Sequence, residues 1–181
     1  MVIRLALLLF CLFSTTLAHA ASVTIAGGKT VRAANTEHDA YRIEINFPWK
    51  SELWSNDRFD LSLNHALSAA RFTDGNSVNL VSWAPNLILS SANKSAIYPY
   101  LQLGFGVAYL SKDRFRSKGA LYEGHKETQM GSHGQFETSL AFGVRANAFG
   151  VRIKVYHYSN ANLAKPNQGM DAAEIGISYH F

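Results

Sequence analysis

The chain has 181 residues, of which 48% are hydrophobic and 12% aromatic, and a formal charge of +4. That length suits one domain. Its single cysteine, Cys11, falls in an N-terminal leader, so residues 21–181 hold no disulfide, thiol or thiolate–metal chemistry.

The leader comes first in chain order. Arg4 supplies a positive start, Leu5 to Phe13 is an apolar run, and Ala18-His19-Ala20 is an A-x-A site. This pattern predicts a signal peptide over 1–20, cut after Ala20, which leaves 21–181 as a single domain. The apolar run is too short for a retained membrane anchor. A lipoprotein reading of Cys11 is disfavoured by the bulky Phe10 before it. In an exported chain, a modest basic excess fits an anionic membrane surface better than nucleic acid, which is not an expected partner.

Beyond the leader the dominant period is two. In "YRIEINF", Tyr41, Ile43, Ile45 and Phe47 alternate with Arg42, Glu44 and Asn46. "LQLGFGVAY", "FETSLAFGVR", "VRIKVYHYSN" and "EIGISYHF" repeat the pattern. Alternation alone fits a soluble half-buried sheet as well as a membrane barrel. The leader and the aromatic C-terminus, Ile177, Tyr179 and Phe181 on one face, favour the barrel. The predicted fold is all-β, an eight-stranded antiparallel transmembrane β-barrel. Its strands are expected at 22–32, 38–48, 57–72, 77–91, 96–111, 134–146, 149–160 and 171–181.

An eight-stranded barrel is filled by side chains. Arg42, Glu44, Glu137, Arg145, Arg152 and Lys154 are expected in the lumen as a mixed-charge network, which argues against a pore. With eight strands both termini share the periplasmic side. The short links at 92–95 and Asn147-Ala148 join them there, and the long 112–133 connection lies outside. The 49–56 link is a long exception on the periplasmic side. Arg114, Arg116, Lys118 and Lys126 of the outer connection are candidates for phosphate or sugar contacts, or else ordinary solvated charge.

Strand parity singles out one constellation. Val151, Ile153 and Val155 point outward, and the same parity carries His157 and Ser159 to the lipid-facing side. A base and a nucleophile on one face need a third group to orient the imidazole. Parity from Ile175, Ile177 and Tyr179 turns Asp171 outward and Glu174 into the lumen, so Asp171 is the expected acid and Glu174 the weaker choice. A bulge between 171 and 175 reverses that choice. On spacing alone the pair is also what chance produces at an aromatic-rich interface. His65, His125, His133 and His180 lack a paired nucleophile and acid, His38 starts a strand at the rim, and His19 belongs to the leader. No metal-ligand spacing occurs, and no cofactor is expected.

The run "HYSNA" followed by "KPNQGMD" resembles the C-terminal motif of the PagL family of lipid A 3-O-deacylases. "YPYLQLGFGVAYLS" and "GQFETSLAFGVR" are similar to the family's segments upstream of that motif. The resemblance implies an outer-membrane barrel of a Gram-negative bacterium, with its active site facing the outer leaflet. It implies hydrolysis of the ester-linked acyl chain at the 3 position of lipid A. Ser159 takes the place of the nucleophile and His157 of the base. Asp171 stands where the family has glutamate, one methylene longer. Asn160 matches an oxyanion-hole asparagine, and Asn162 stands at an oxyanion position that is often glycine. Expected partners are lipid A or lipopolysaccharide as substrate, the outer membrane, and a second copy of the chain as a homodimer. The competing readings are a non-catalytic structural or adhesive barrel and a lipid A acyltransferase.

Overall fold

The computed structural model describes residues 22–32, 36–93, 96–116 and 127–181. The leader, Cys11, His125, Lys118 and Lys126 lie outside the described residues. The chain order is β1 (Ser22–Arg32), β2 (Asp39–Ser55), β3 (Phe59–Asp74), β4 (Asn76–Ser91), β5 (Ile97–Leu110), β6 (Arg114–Arg116), β7 (Glu127–Gln129), β8 (Gly134–Ala146), β9 (Phe149–Ser159) and β10 (Met170–His180). Eight strands close into an antiparallel barrel in the order β1-β10-β9-β8-β5-β4-β3-β2, while β6 and β7 form a separate two-stranded ribbon. All eight expected barrel strands are present. No helix among the described residues is long and apolar enough to cross a membrane, and the strands do the crossing.

The alternation in sequence becomes an inside and an outside. Along β9 the burial alternates from exposed Phe149 to buried Gly150 and onward without a break to Tyr158. Outward residues include Ile25, Ile43, Phe105, Phe142, Ile153 and Ile177, all more than half exposed. Such an apolar surface is stable only against lipid.

The lumen is polar and built around buried ion pairs. Arg42 donates from Nε and Nη2 to Glu174 at 2.9 and 3.1 Å, from Nη1 to Ser68 at 2.9 Å, and from Nη2 to Tyr158 at 2.7 Å. Its guanidinium lies 3.9 Å from the Tyr156 ring centroid. Glu44 receives Arg152 at 2.7 Å and Lys154 at 3.1 Å. A buried charge is tolerated only with such pairing. Of the expected luminal set, Arg145 instead sits half-buried at the rim, donating to the Asn147 carbonyl at 3.0 Å.

Two features differ from the sequence expectation. β2 runs on through 49–55, where a long link is expected, because two register shifts at Pro48/Lys50 and Lys50/Trp54 let it stay paired with β3. These irregularities erase the period-two signal. The 112–133 connection holds the β6–β7 ribbon, which closes the barrel end opposite Ser22 and His180. Phe115, Thr128 and Met130 are fully buried there, and Thr36 meets Thr128 at 3.0 Å between hydroxyl oxygens.

Candidate active site

β9 ends at Ser159, at the ribbon-capped end of the barrel. In register, His157 lies between Thr138 of β8 and Asp171 of β10, and Ser159 faces Phe136. His157, Ser159 and Asp171 all stand on the outward face and are half-buried. The β9–β10 register runs unbroken from Met170↔Tyr158 to Tyr179↔Phe149. No bulge therefore intervenes to swap the faces of Asp171 and Glu174.

Nδ1 of His157 donates to Oδ1 of Asp171 at 2.5 Å. The two side chains keep 41% and 25% of their exposure, enough for a lipid-borne substrate to reach them. With Nδ1 so engaged, Nε2 is the imidazole's free nitrogen. Ser159 lies two positions along the same face, a separation of roughly 6.6 Å between Cα atoms at the usual rise. No hydrogen bond joins Ser159 to His157 in this arrangement. Glu174 is 2% exposed, points into the lumen and is held by Arg42, so it is remote from the His157 imidazole.

The loop after Ser159 is built by side-chain ties. Asn160 is 2% exposed and turns inward, where its Nδ2 donates to the carbonyls of Met130 at 2.8 Å and Ala164 at 2.9 Å. Both amide hydrogens are thus engaged behind the outer face, because Asn160 has the inward parity of Tyr158. Its backbone N–H donates to Oδ1 of Asn167 at 3.3 Å. Gln168 clamps the other side, accepting from the backbone N–H of Gln129 at 2.6 Å. Ala161 and Asn162 both adopt left-handed backbone, with φ of 52° and 63°. Asparagine tolerates this region better than alanine, and glycine best. The conformation explains why glycine suits position 162. Gly131, at φ 72°, packs so closely on this loop that a Cβ there meets the carbonyl oxygen of Pro166.

Asn167, Gln168 and Gly131 are the site residues that strand parity alone overlooks. The turn-forming spacing of Pro166, Asn167 and Gly169 is the sequence signal for the first two, and Gly131 is placed by its left-handed φ.

Beside Ser159 lies an apolar groove of about 450 Å³, lined by Val107, Phe136, Leu163 and Ala164 with Asn160 at its edge. Phe136 stacks on Phe105 with ring centroids 6.3 Å apart. The groove and Asp171 flank β9 on opposite sides. Arg114 and Arg116 lie elsewhere on the rim, within 3.9 and 3.2 Å of Glu127, whose carboxylate offsets their charge. Among the described residues no cluster of His, Cys, Asp and Glu is arranged to hold a metal ion.

Comparison with known proteins gives a consistent picture. The family model described as lipid A 3-O-deacylase (PagL) matches residues 39–180. The lipid A deacylase PagL of Pseudomonas aeruginosa is 28% identical over 162 residues, covering 86% of this chain and 83% of that protein. The crystal structure of the outer membrane enzyme PagL superposes with a TM-score of 0.77 at 23% identity, covering 89% of this chain and all of that one. Neisserial surface protein A shares the barrel more distantly, with a TM-score of 0.53 at 14% identity over 88% of this chain and 95% of that one. With a match that spans nearly all of the barrel, from the start of β2 to the end of β10, the chain belongs to the PagL family of lipid A 3-O-deacylases.

Proposed function

We propose that this protein is a serine esterase of the outer membrane. It hydrolyses the ester-linked acyl chain at the 3 position of lipid A, releasing a 3-hydroxy fatty acid and remodelling lipopolysaccharide. The observation that carries the reading is the His157–Asp171 hydrogen bond on the lipid-facing surface, with Ser159 and an apolar groove beside it.

Ser159 Oγ attacks the acyl carbonyl while Nε2 of His157 takes its proton. Asp171 holds the imidazole by Nδ1 and stabilises the imidazolium. The backbone N–H at Asn162, presented by the left-handed turn, donates to the oxyanion, and Asn160 fixes the loop that carries it. His157 returns the proton to the sugar oxygen as the ester bond breaks. Water, deprotonated by His157, then attacks the acyl-enzyme, and the released acid leaves Ser159 protonated again. The acyl chain lies along Val107 and Phe136, remaining in an apolar environment throughout. A Ser–His hydrogen bond that closes only around bound substrate is usual for such sites.

The site faces the outer leaflet in this reading. It shares an end of the barrel with the long 112–133 connection, and the short turn at Asn147 lies at the other end. Cleavage of residues 1–20 and a homodimer are two further elements of the proposal. N-terminal sequencing checks the first and sedimentation in detergent the second.

The deciding experiment is a mass spectrum of lipid A from cells with and without the protein. Loss of one 3-hydroxyacyl group, abolished by Ser159→Ala and by His157→Ala, is the expected result. An unchanged mass with the wild type indicates a structural barrel, and a gained chain indicates an acyltransferase.

A further inference from the structure

On the strands around the site, the outward face of the barrel is almost free of polar side chains. Apart from the ring hydroxyls of Tyr109 and Tyr179, four outward positions on β5, β8, β9 and β10 carry one: Thr138, His157, Ser159 and Asp171. Three of these form the proposed triad. Thr138 is the one with no task in that chemistry. A hydroxyl facing lipid costs free energy unless it finds a partner, and polar groups in such positions are functional suspects.

Thr138 is exposed on β8 and lies directly across from His157. One row over β10, β9, β8 and β5 therefore reads Asp171, His157, Thr138, Phe105. Facing residues on paired strands hold their Cβ atoms about 4.5–5.5 Å apart. Two positions along β8 stands Phe136, the register partner of Ser159 and a wall of the apolar groove. Phe136 stacks on Phe105, so aromatic rings border Thr138 toward β5 and the imidazole borders it toward β9. No side chain among the described residues pairs with the Thr138 hydroxyl. Asp171 engages the imidazole from β10, which leaves the groove side of His157 to Thr138 and the substrate.

We propose that Thr138 selects 3-hydroxyacyl chains, its hydroxyl pairing with the hydroxyl on the third carbon of the acyl chain under attack by Ser159. The inference rests on the esterase reading above and names the chain chemistry that the site prefers. The reacting carbonyl lies over Ser159 on β9, and the chain runs from it toward Phe136 on β8. Neighbouring strands are about 4.8 Å apart, so the carbon two bonds beyond the carbonyl lies over the space between β9 and β8. Thr138 borders that space, one diagonal step from Ser159. The substrate hydroxyl enters a groove walled by Val107, Phe136 and Leu163, none of which can pair with it. Either hydroxyl can donate to the other. A chain without the hydroxyl leaves Thr138 unpaired, and that difference is the source of the selection.

The test compares kcat/KM of the full-length protein on two lipid A substrates in mixed micelles. They are identical except that the 3-linked chain carries or lacks its hydroxyl. The wild type should favour the hydroxylated chain about tenfold, the effect of one hydrogen bond. Thr138→Val keeps the shape and adds an apolar group to a lipid-facing strand, so the barrel folds, and the ratio should fall close to one. Thr138→Ser should keep the ratio. A wild-type ratio near one overturns the inference while deacylation stands. A ratio that Thr138→Val leaves unchanged also overturns it, since a threonine that only steadied His157 would affect both substrates alike. A ratio lost equally in Thr138→Ser assigns the selection to side-chain shape and likewise overturns it. Cleavage of neither substrate by the wild type overturns the esterase reading and this inference together.

Discussion

Asp171 and His157 are register partners on adjacent strands, and Oδ1 of the aspartate accepts from Nδ1 of the imidazole at 2.5 Å. The short aspartate reaches the imidazole because the strand pair delivers the carboxylate directly opposite the ring. Asp171→Asn is therefore expected to lower kcat by about 10³–10⁴-fold while the barrel stays folded, since a neutral amide favours the wrong tautomer. Asp171→Glu should retain more activity than Asp171→Asn. Glu174→Ala is expected to do the reverse. It strands the buried Arg42 and costs about 3–5 kcal/mol of stability. Lipid A mass spectra and urea unfolding of the same variants separate the two effects. Full activity in Asp171→Ala would remove Asp171 from the proposed triad.

The loop after Ser159 yields a second prediction. Asn162 holds φ at 63°, where a β-branched side chain is strongly disfavoured. Asn162→Gly should preserve deacylation, and Asn162→Val should reduce it about 10²-fold through a displaced backbone N–H. Asn160→Ala removes the ties to the Met130 and Ala164 carbonyls that hold the loop against the barrel end. It should lower both kcat and the thermal midpoint. A variant that lost kcat at unchanged stability would give Asn160 a direct part in the chemistry instead.

His38 makes the cap sensitive to pH. It precedes β2, outside the membrane-spanning strands, fully buried in edge-on contact with Phe115 of the ribbon. Neither ring nitrogen has a hydrogen-bond partner. Burial pushes its pKa below the usual histidine value, with the charges of Asp74 and Asp39 opposing. Its folded pKa is depressed, so the stability it contributes is present above the unfolded pKa of about 6.5. That contribution is lost as pH falls toward the folded value, because the unfolded chain binds the proton first. Thermal unfolding should therefore show a lower midpoint at pH 5 than at pH 7, and His38→Phe should flatten the difference. Equal slopes in the two proteins would refute the assignment.

The sequence carried the parts of this site that depend on parity and little of what depends on crossing the barrel. His157, Ser159 and Asp171 share an outward face because side chains alternate strictly along an unbroken register, and Glu174 faces inward for the same reason. The pairing of Arg42 with Glu174 joins residues 132 positions apart, and no local pattern announces it. The continuation of β2 past Pro48 was hidden by its two register shifts. Asn160 shows the same limit differently. Its motif suggests chemistry, while its inward parity and its bonds to the carbonyls of Met130 and Ala164 belong to contacts that no local pattern announces.

The groove beside Ser159 sets a final expectation, on acyl-chain preference. Val107, Phe136 and Ser159 lie in one line across β5, β8 and β9, so a chain leaving the carbonyl along that line crosses Val107 after Phe136. Val107 is 52% exposed and Leu163 81%, which leaves the far side open to lipid. Val107→Trp should obstruct the line and disfavour long acyl chains while sparing short ones. Phe136→Ala should weaken selection for long chains, since each methylene packed in such a groove is worth about 1–3 kcal/mol in the transition state. The measurement is kcat/KM on lipid A bearing 3-linked chains of different length, in mixed micelles. A drop that is uniform across lengths would place the acyl chain elsewhere, on the Asp171 side of β9.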